Sequence, residues 1–310
     1  MSTLTMTSTP DTTPDVAPDT NPLGIHALVW VGDTSPASVS SAVKQTAAAG
    51  YDILEFSLHD SVNLDREATK ALLQQHGLRA ACSRGLALDA DVSSEDPAVV
   101  ARGAALLQES LAVTHGIGGF LLTGALYSAF GKAQAPLSKT GRDNVVGVLK
   151  ELAVDAEKVG VQLGLEICNR YETNVVNTAR DALALADDIG ADNVLIHLDT
   201  YHMNIEETDL AQPVRDADDR LGYVHIGENH RGYLGSGLFD FPTFFGALAE
   251  VDYRGPLTFE SFSSAVLAPG LSNDLAIWRN LWDDGGDLAA RAHEFMADGL
   301  RAARRDRVGG

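Results

Sequence analysis

Residues 161–199 read VQLGLEICNRYETNVVNTARDALALADDIGADNVLIHLD, and the alternation within this stretch decides the fold. Residues 161–167 form a short apolar run of the kind found in a strand covered on both faces. Residues 178–189 place apolar side chains at helical spacing and stop at Gly190, and residues 194–198 form a second apolar run. Strand, helix and strand in close succession predict parallel strands joined by a crossover helix. Each strand ends on a carboxylate: Glu166 on the first, Asp199 on the second.

The same unit repeats in both directions. Downstream, a helix is expected near 210–220, a strand at 221–225, a helix at 242–251, a strand at 256–260 and a closing amphipathic helix at 288–303. Upstream, strands are expected at 23–30, 51–56, 78–83 and 119–122, with helices at 37–49, 66–76, 97–111 and 139–159 between them. Eight such units predict a closed (β/α)8 TIM barrel, which typically needs about 250 residues. An open doubly wound sheet would carry GxGxxG after its first strand, and none follows residues 23–30. The domain expectation is one barrel over 23–304 with a short tail at 305–310. Residues 1–22 are Thr, Ser, Pro and Asp with almost nothing to bury, and read as a disordered arm. They lack the basic start and apolar core of a signal peptide, so the expected compartment is the cytoplasm.

The 310 residues are 45% hydrophobic, enough for a large core, and no apolar run approaches the ~18–20 residues of a membrane span. With 23 Lys+Arg against 43 Asp+Glu, the formal net charge is -20. That balance weighs against a nucleic-acid partner and suits neutral small molecules or cations. Cys82 and Cys168 make no disulfide framework and have no partner at zinc-site spacing, so both read as buried thiols.

A (β/α)8 barrel does its chemistry at the C-terminal ends of its strands. Strands five to eight end at Glu166, Asp199, His225 and Glu260, each after an apolar run (VQLGLE, VLIHLD, LGYVH, PLTFE). Any one of them alone could be a salt-bridge partner or a helix cap. Four at equivalent positions should converge over one mouth, where burying them requires a counter-charge. Three carboxylates and one imidazole suit a divalent ion: Mn²⁺ first, with Co²⁺, Mg²⁺ or Zn²⁺ as alternatives. Two octahedral positions are left over for the adjacent oxygens of a substrate such as a hydroxyketone. Glu172, His202 and Arg231 fall in loops beside this set, and His26 ends the first strand as LGIH. GYLGSG (232–237) lacks the Lys and Ser/Thr of a P-loop and reads as a lid or tight turn.

At these residues the chain resembles the ketose 3-epimerases of the xylose-isomerase-like barrel superfamily, among them D-tagatose, D-allulose (D-psicose) and L-ribulose 3-epimerases. The segments that carry the resemblance are LEICNRYETNVVNT (165–178), HLDTYHMNIEE (197–207), LGYVHIGENHRGYLGSG (221–237) and TFESFSS (258–264). The likeness is dense from residue 161 to 282 and looser upstream. DVSSEDPAVV (91–100) and IWRNLW (277–282) are most similar to the L-ribulose/D-allulose branch. Some members place an aromatic where this chain has His26, and some a Trp where it has GALYSAF (124–130), positions that shape the sugar pocket.

The resemblance implies a divalent metal, usually Mn²⁺, held by Glu166, Asp199, His225 and Glu260. It implies that Glu166 and Glu260 are also the acid/base pair, that Glu172, His202 and Arg231 hold the substrate near C1–C3, and that the protein is a homodimer or homotetramer. The expected reaction is epimerisation of unphosphorylated ketoses at C3 (D-fructose/D-allulose, D-tagatose/D-sorbose, L-ribulose/L-xylulose type) through a cis-enediolate. An aldose–ketose or hydroxypyruvate isomerase on the same barrel is the main alternative. A three-zinc DNA-repair endonuclease is disfavoured by the charge and the shortage of further strand-end histidines. A non-catalytic sugar-binding protein would not need opposed carboxylates on the metal.

Overall fold

The protein is described here by a computed structural model covering residues 20–61 and 63–309. Residues 1–19 of the expected arm lie outside the described residues. Eight parallel strands close into one barrel in sequence order. They are β1 (Leu23–His26), β2 (Ile53–Ser57), β3 (Arg79–Ser83), β4 (Leu121–Thr123), β5 (Gln162–Glu166), β6 (Val194–Asp199), β7 (Leu221–Ile226) and β8 (Leu257–Phe259). β1 pairs with both β2 and β8, which closes the ring. Nearly every strand residue is buried, as expected of strands covered by helices outside and by side chains inside.

The helices are α1 (Pro36–Ala48), α2 (Arg66–Gln75), α3 (Pro97–Gly116), α4 (Lys139–Lys158), α5 (Ala179–Ile189), α6 (Thr200–Glu206), α7 (Gln212–Ala217), α8 (Phe241–Glu250), α9 (Pro269–Asp274) and α10 (Gly285–Gly309). Their starts are written locally. Side chains of Ser35, Asp65, Asp96, Ser138 and Asp240 each accept a first-turn N–H, and Thr178 with Asp181 forms a capping box. Gly190 ends α5 in the left-handed region at φ 68°, where a side chain would be strained.

The barrel interior carries a polar layer beneath the mouth. Glu55, Thr123, His197, Tyr223 and Thr258 are all fully buried there. Gly164 makes room for it, because a Cβ at that position would lie 2.4 Å from Thr123 Oγ1.

Several boundaries differ from the sequence expectation. The first strand stops at His26, and Ala27–Val29 turn as a 3-10 helix whose Leu28 N–H is taken by the His26 ring. His202 sits on α6, not in a loop, because Asp199 caps a helix immediately after β6. The expected tail at 305–310 is helical through residue 309. Arg304 bonds Asn21 and the Tyr253 carbonyl, and Arg307 bonds the Ala249 carbonyl, which hold the last turns against the barrel. Among the described residues, no helix is long and apolar enough to cross a membrane.

Candidate active site

Glu166 is the last residue of β5, Asp199 the last of β6, His225 the penultimate of β7, and Glu260 follows β8 directly. Asp199 and His225 are register partners on adjacent strands. The barrel therefore brings four donor atoms to within 4.8 Å of one another, all on buried residues. His225 Nδ1 lies 3.5 Å from Glu166 Oε1, 3.4 Å from Asp199 Oδ2 and 3.5 Å from Glu260 Oε1. It points at three carboxylate oxygens without bonding any of them.

Two of these atoms test whether a cation fits. Asp199 Oδ2 and His225 Nδ1 are buried and make no hydrogen bond, although every other polar job on the two residues is filled. Asp199 Oδ1 accepts the N–H groups of Tyr201 at 2.7 Å and His202 at 3.4 Å. His225 Nε2 is 2.8 Å from Glu55 Oε2. Orphaned buried acceptors are costly unless something positive sits among them. Three carboxylate oxygens, one imidazole nitrogen and no thiolate in the set form a donor group for a hard or borderline divalent ion.

The electrostatics agree. Burial pushes Glu166 up to about 7, with His225 pulling against it and Glu260 and Asp199 pushing with it. Burial likewise raises Glu260 to about 7, opposed by Arg231 and His225. Asp199 goes the other way: against burial, Arg231, His202 and His225 hold it well below the usual carboxylate range. Burial would depress His225, but Glu55 and Glu260 hold it well above the usual imidazole value. The field that favours a proton on this imidazole is the field that attracts a divalent cation to the same spot.

The other sequence candidates surround the set. His202 Nδ1 accepts the Asn169 backbone N–H at 3.1 Å and lies 2.9 Å from the Asn169 side-chain nitrogen, so its hydrogen is on Nε2. That nitrogen stands 3.9 Å from each of Glu166, Glu172 and Asp199, too far to bond any of them directly. Glu172 is steadied by Asn169 at 2.8 Å. Arg231 Nη1 donates to Glu260 Oε2 and lies 3.5 Å from Asp199 Oδ2. Its guanidinium is stacked 3.9 Å from the centre of the Tyr201 ring. His26 is buried and held down to about 4, by burial first, so it is neutral; its Nε2 is 3.3 Å from Ser83 Oγ.

Glu166, Glu172, His202, Arg231, Glu260 and His26 line one cavity of about 540 Å³ at the barrel mouth, shared with Leu28, Phe130, Phe262 and Ile277. Phe130 and Gly124 come from the GALYSAF segment, whose Tyr127 donates to the Glu166 carbonyl at 2.5 Å and fixes the end of β5. GYLGSG is a turn organised from within. The buried Glu228 carboxylate takes the N–H groups of Asn229, Gly235 and Phe239. Cys82 and Cys168 are buried free thiols, as expected.

Glu55, His197 and Tyr223 are absent from the candidates named from the sequence. The available signal was a carboxylate in the middle of ILEFS, an apolar strand with no other charge. His197 Nδ1 meets Thr123 Oγ1 at 2.7 Å, and its ring stands edge-on to His225 at 4.2 Å.

Residues 43–299 match the family described as xylose isomerase-like TIM barrel. The chain is 51% identical over 273 residues to an L-ribulose 3-epimerase of Methylomonas sp. (strain DH-1), covering 88% of this chain and 96% of that one. It is 47% identical over 282 residues to a ketose 3-epimerase of Arthrobacter globiformis, covering 91% and 98%. A crystal structure of D-allulose 3-epimerase from Methylomonas sp. in complex with D-allulose superimposes with a TM-score of 0.88 at 50% identity, over 91% of this chain and 98% of that one.

Proposed function

The chain belongs to the ketose 3-epimerases of the xylose isomerase-like TIM barrel family and is an isomerase, and from that membership we propose that it inverts C3 of unphosphorylated ketoses by proton transfer between Glu166 and Glu260 at a divalent metal centre. The observation that carries the reading is the pair of orphaned acceptors, Asp199 Oδ2 and His225 Nδ1, inside a ring of three carboxylates. Glu166, Asp199, His225 and Glu260 would hold the ion. Mn²⁺ is the ion we propose, from the oxygen-rich donor set and the family resemblance. The chemistry such an ion supplies is polarisation of the C2 carbonyl, which makes the C3 proton acidic.

The chain's own residues do the rest. Glu166 ends β5 and Glu260 directly follows β8, three positions apart in the ring of strands, and both reach the centre. Burial raises both carboxyls in the ion-free centre, and a bound ion would draw them back down, so the pair would exchange protons as metal-held groups. One removes the proton from C3; the other, protonated, returns one to the opposite face of the planar cis-enediolate. Arg231, fixed by Glu260 and Tyr201, adds positive charge beside the developing oxyanion. The Nε2–H of His202, with Glu172 beside it, is placed to hold O1 and O2 of the sugar. His26 and Phe262 form wall further along the cavity.

D-Allulose and L-ribulose are the sugars to offer first, since the similar proteins are named for them. The test is to incubate the protein with Mn²⁺ and D-fructose, D-allulose, D-tagatose or L-ribulose, then separate the sugars. Conversion of each to its C3 epimer is expected; failure to form any new ketose would sink the proposal. The proposal includes a homodimer or homotetramer, which light scattering after size exclusion would check.

A further inference from the structure

Glu55 lies inside the barrel on β2 and is fully buried. Its Oε2 accepts the Tyr223 hydroxyl at 2.8 Å and meets His225 Nε2 at 2.8 Å. Tyr223 receives the Thr258 hydroxyl at 2.6 Å, so its own proton is committed to Glu55. The other oxygen, Oε1, has no hydrogen bond and faces His26 Nε2 at 3.6 Å. No Lys or Arg pairs with this carboxylate among the described residues; the cationic partners open to it are imidazoles.

A neutral imidazole carries its hydrogen on one nitrogen only, and the partner of that nitrogen decides which. A carboxylate that already holds the Tyr223 proton can only accept from His225, so the hydrogen is on Nε2. Nδ1 is then a bare lone pair, pointed at Glu166, Asp199 and Glu260. Without an ion, these carboxylates favour a second proton on Nδ1. With a divalent ion in that place the ring is neutral, its one hydrogen stays on Nε2 against Glu55, and the Nδ1 lone pair faces the ion, which is the arrangement of a metal ligand with its outer support.

We propose that Glu55 is a positioning residue of the metal centre: it fixes His225 in the Nε2–H tautomer, aims Nδ1 at the ion, and strengthens that nitrogen as a donor. This rests on the metal-centre reading above. Glu55 reaches the ion only through His225, and Tyr223 and Thr258 hold Glu55 in place from β7 and β8.

The experiment is calorimetric titration of Mn²⁺ into chelator-stripped wild type, Glu55→Gln and Tyr223→Phe. Glu55→Gln keeps the shape and an acceptor for the His225 N–H but removes the charge, and should weaken Mn²⁺ binding by about 10–100-fold. Its turnover should recover toward wild type at saturating Mn²⁺, a split that general damage to the fold would not give. Tyr223→Phe keeps the carboxylate but removes one of its anchors, so it should weaken Mn²⁺ binding by less than Glu55→Gln does. Wild type that binds Mn²⁺ with Glu55→Gln binding equally well would overturn the inference and leave the metal centre standing. Tyr223→Phe losing clearly more affinity than Glu55→Gln would also overturn it, by showing that the charge of Glu55 is not what matters. Wild type that binds no Mn²⁺ would instead remove the metal centre, and the inference with it. A second measurement needs no variant. In ¹⁵N-histidine-labelled wild type titrated with diamagnetic Zn²⁺, one imidazole should keep its Nε2–H while its Nδ1 resonance moves; loss of that proton on binding would overturn the assignment.

Discussion

Asp199 and His202 are joined by a hydrogen bond in which the aspartate's Oδ1 accepts the histidine's backbone N–H at 3.4 Å, alongside that of Tyr201 at 2.7 Å. One carboxylate thus has two jobs. Oδ1 caps the helix that carries His202, and Oδ2 faces the centre without a hydrogen bond, 3.4 Å from His225 Nδ1. The two jobs separate by substitution. Asp199→Asn keeps a good cap and loses the charge; Asp199→Ala loses both. Both should bind Mn²⁺ poorly, but in metal-stripped protein the Ala variant should be less stable than the Asn variant by about 1 kcal/mol. Urea unfolding in the presence of chelator measures this, and equal stabilities would show that the cap contributes nothing.

The buried Asp199 Oδ2 and His225 Nδ1, which make no hydrogen bond, predict a large linkage between metal and stability. Stripping the protein with chelator should abolish turnover, and Mn²⁺ or Co²⁺ should restore it. An ion that binds only the folded chain adds about 2.7 kcal/mol at a hundred times its dissociation constant. The melting temperature should therefore climb with Mn²⁺ concentration without reaching a plateau at saturation. Full turnover in protein shown by mass spectrometry to be metal-free would remove the centre.

Arg231 is held on three sides and sits at φ 63°, in the left-handed region that a long side chain rarely adopts. Its Nη1 donates to Glu260, and its guanidinium lies over the Tyr201 and Phe262 rings at 3.9 and 5.0 Å. A lysine has no planar group to fill that slot. Arg231→Lys, assayed at saturating Mn²⁺, should lose about 10²-fold in kcat/KM, the scale for removing a donor aimed at developing charge. A loss under about twofold would show that any positive charge serves there.

What was legible in the sequence follows from what each residue is asked to do. Glu166, Asp199, His225 and Glu260 stand out because each ends an apolar run, and a ligand-type residue there has to be explained. The strands and the long helices are legible from the same contrast, sharpened by caps such as Thr178 and stops such as Gly190. Glu55 is hidden because it is inside its strand, where sequence shows neither which way a side chain points nor that Tyr223 and His225 will meet it across the barrel. The helix under His202 is hidden for a different reason. It is only seven residues long, and its cap is Asp199, a residue already read as the end of a strand. The partners of the last helix, Asn21 and the carbonyls of Ala249 and Tyr253, are distant in sequence, so its extension past residue 304 is a tertiary effect.

The two-base chemistry makes the strongest demand. Glu166 and Glu260 lie on opposite flanks of the strand quartet that holds the centre, with Asp199 and His225 between them on β6 and β7. Inversion at C3 requires a proton to leave one face and another to arrive on the opposite face, so each carboxylate must serve as base in one direction and acid in the other. Glu166→Gln and Glu260→Gln should each lower turnover in both directions by at least about 10²-fold, the scale for losing a general acid or base. Part of that loss could come from weaker metal binding, so bound Mn²⁺ is measured in each variant and the comparison made at equal occupancy. In D₂O, solvent deuterium should appear at C3 of the product and not at C1, because the proton taken by one glutamate is not the proton given by the other. Deuterium at C1 with an aldose as product would mean that the proton moves between C1 and C2, and the pairing of Glu166 with Glu260 across C3 would be wrong.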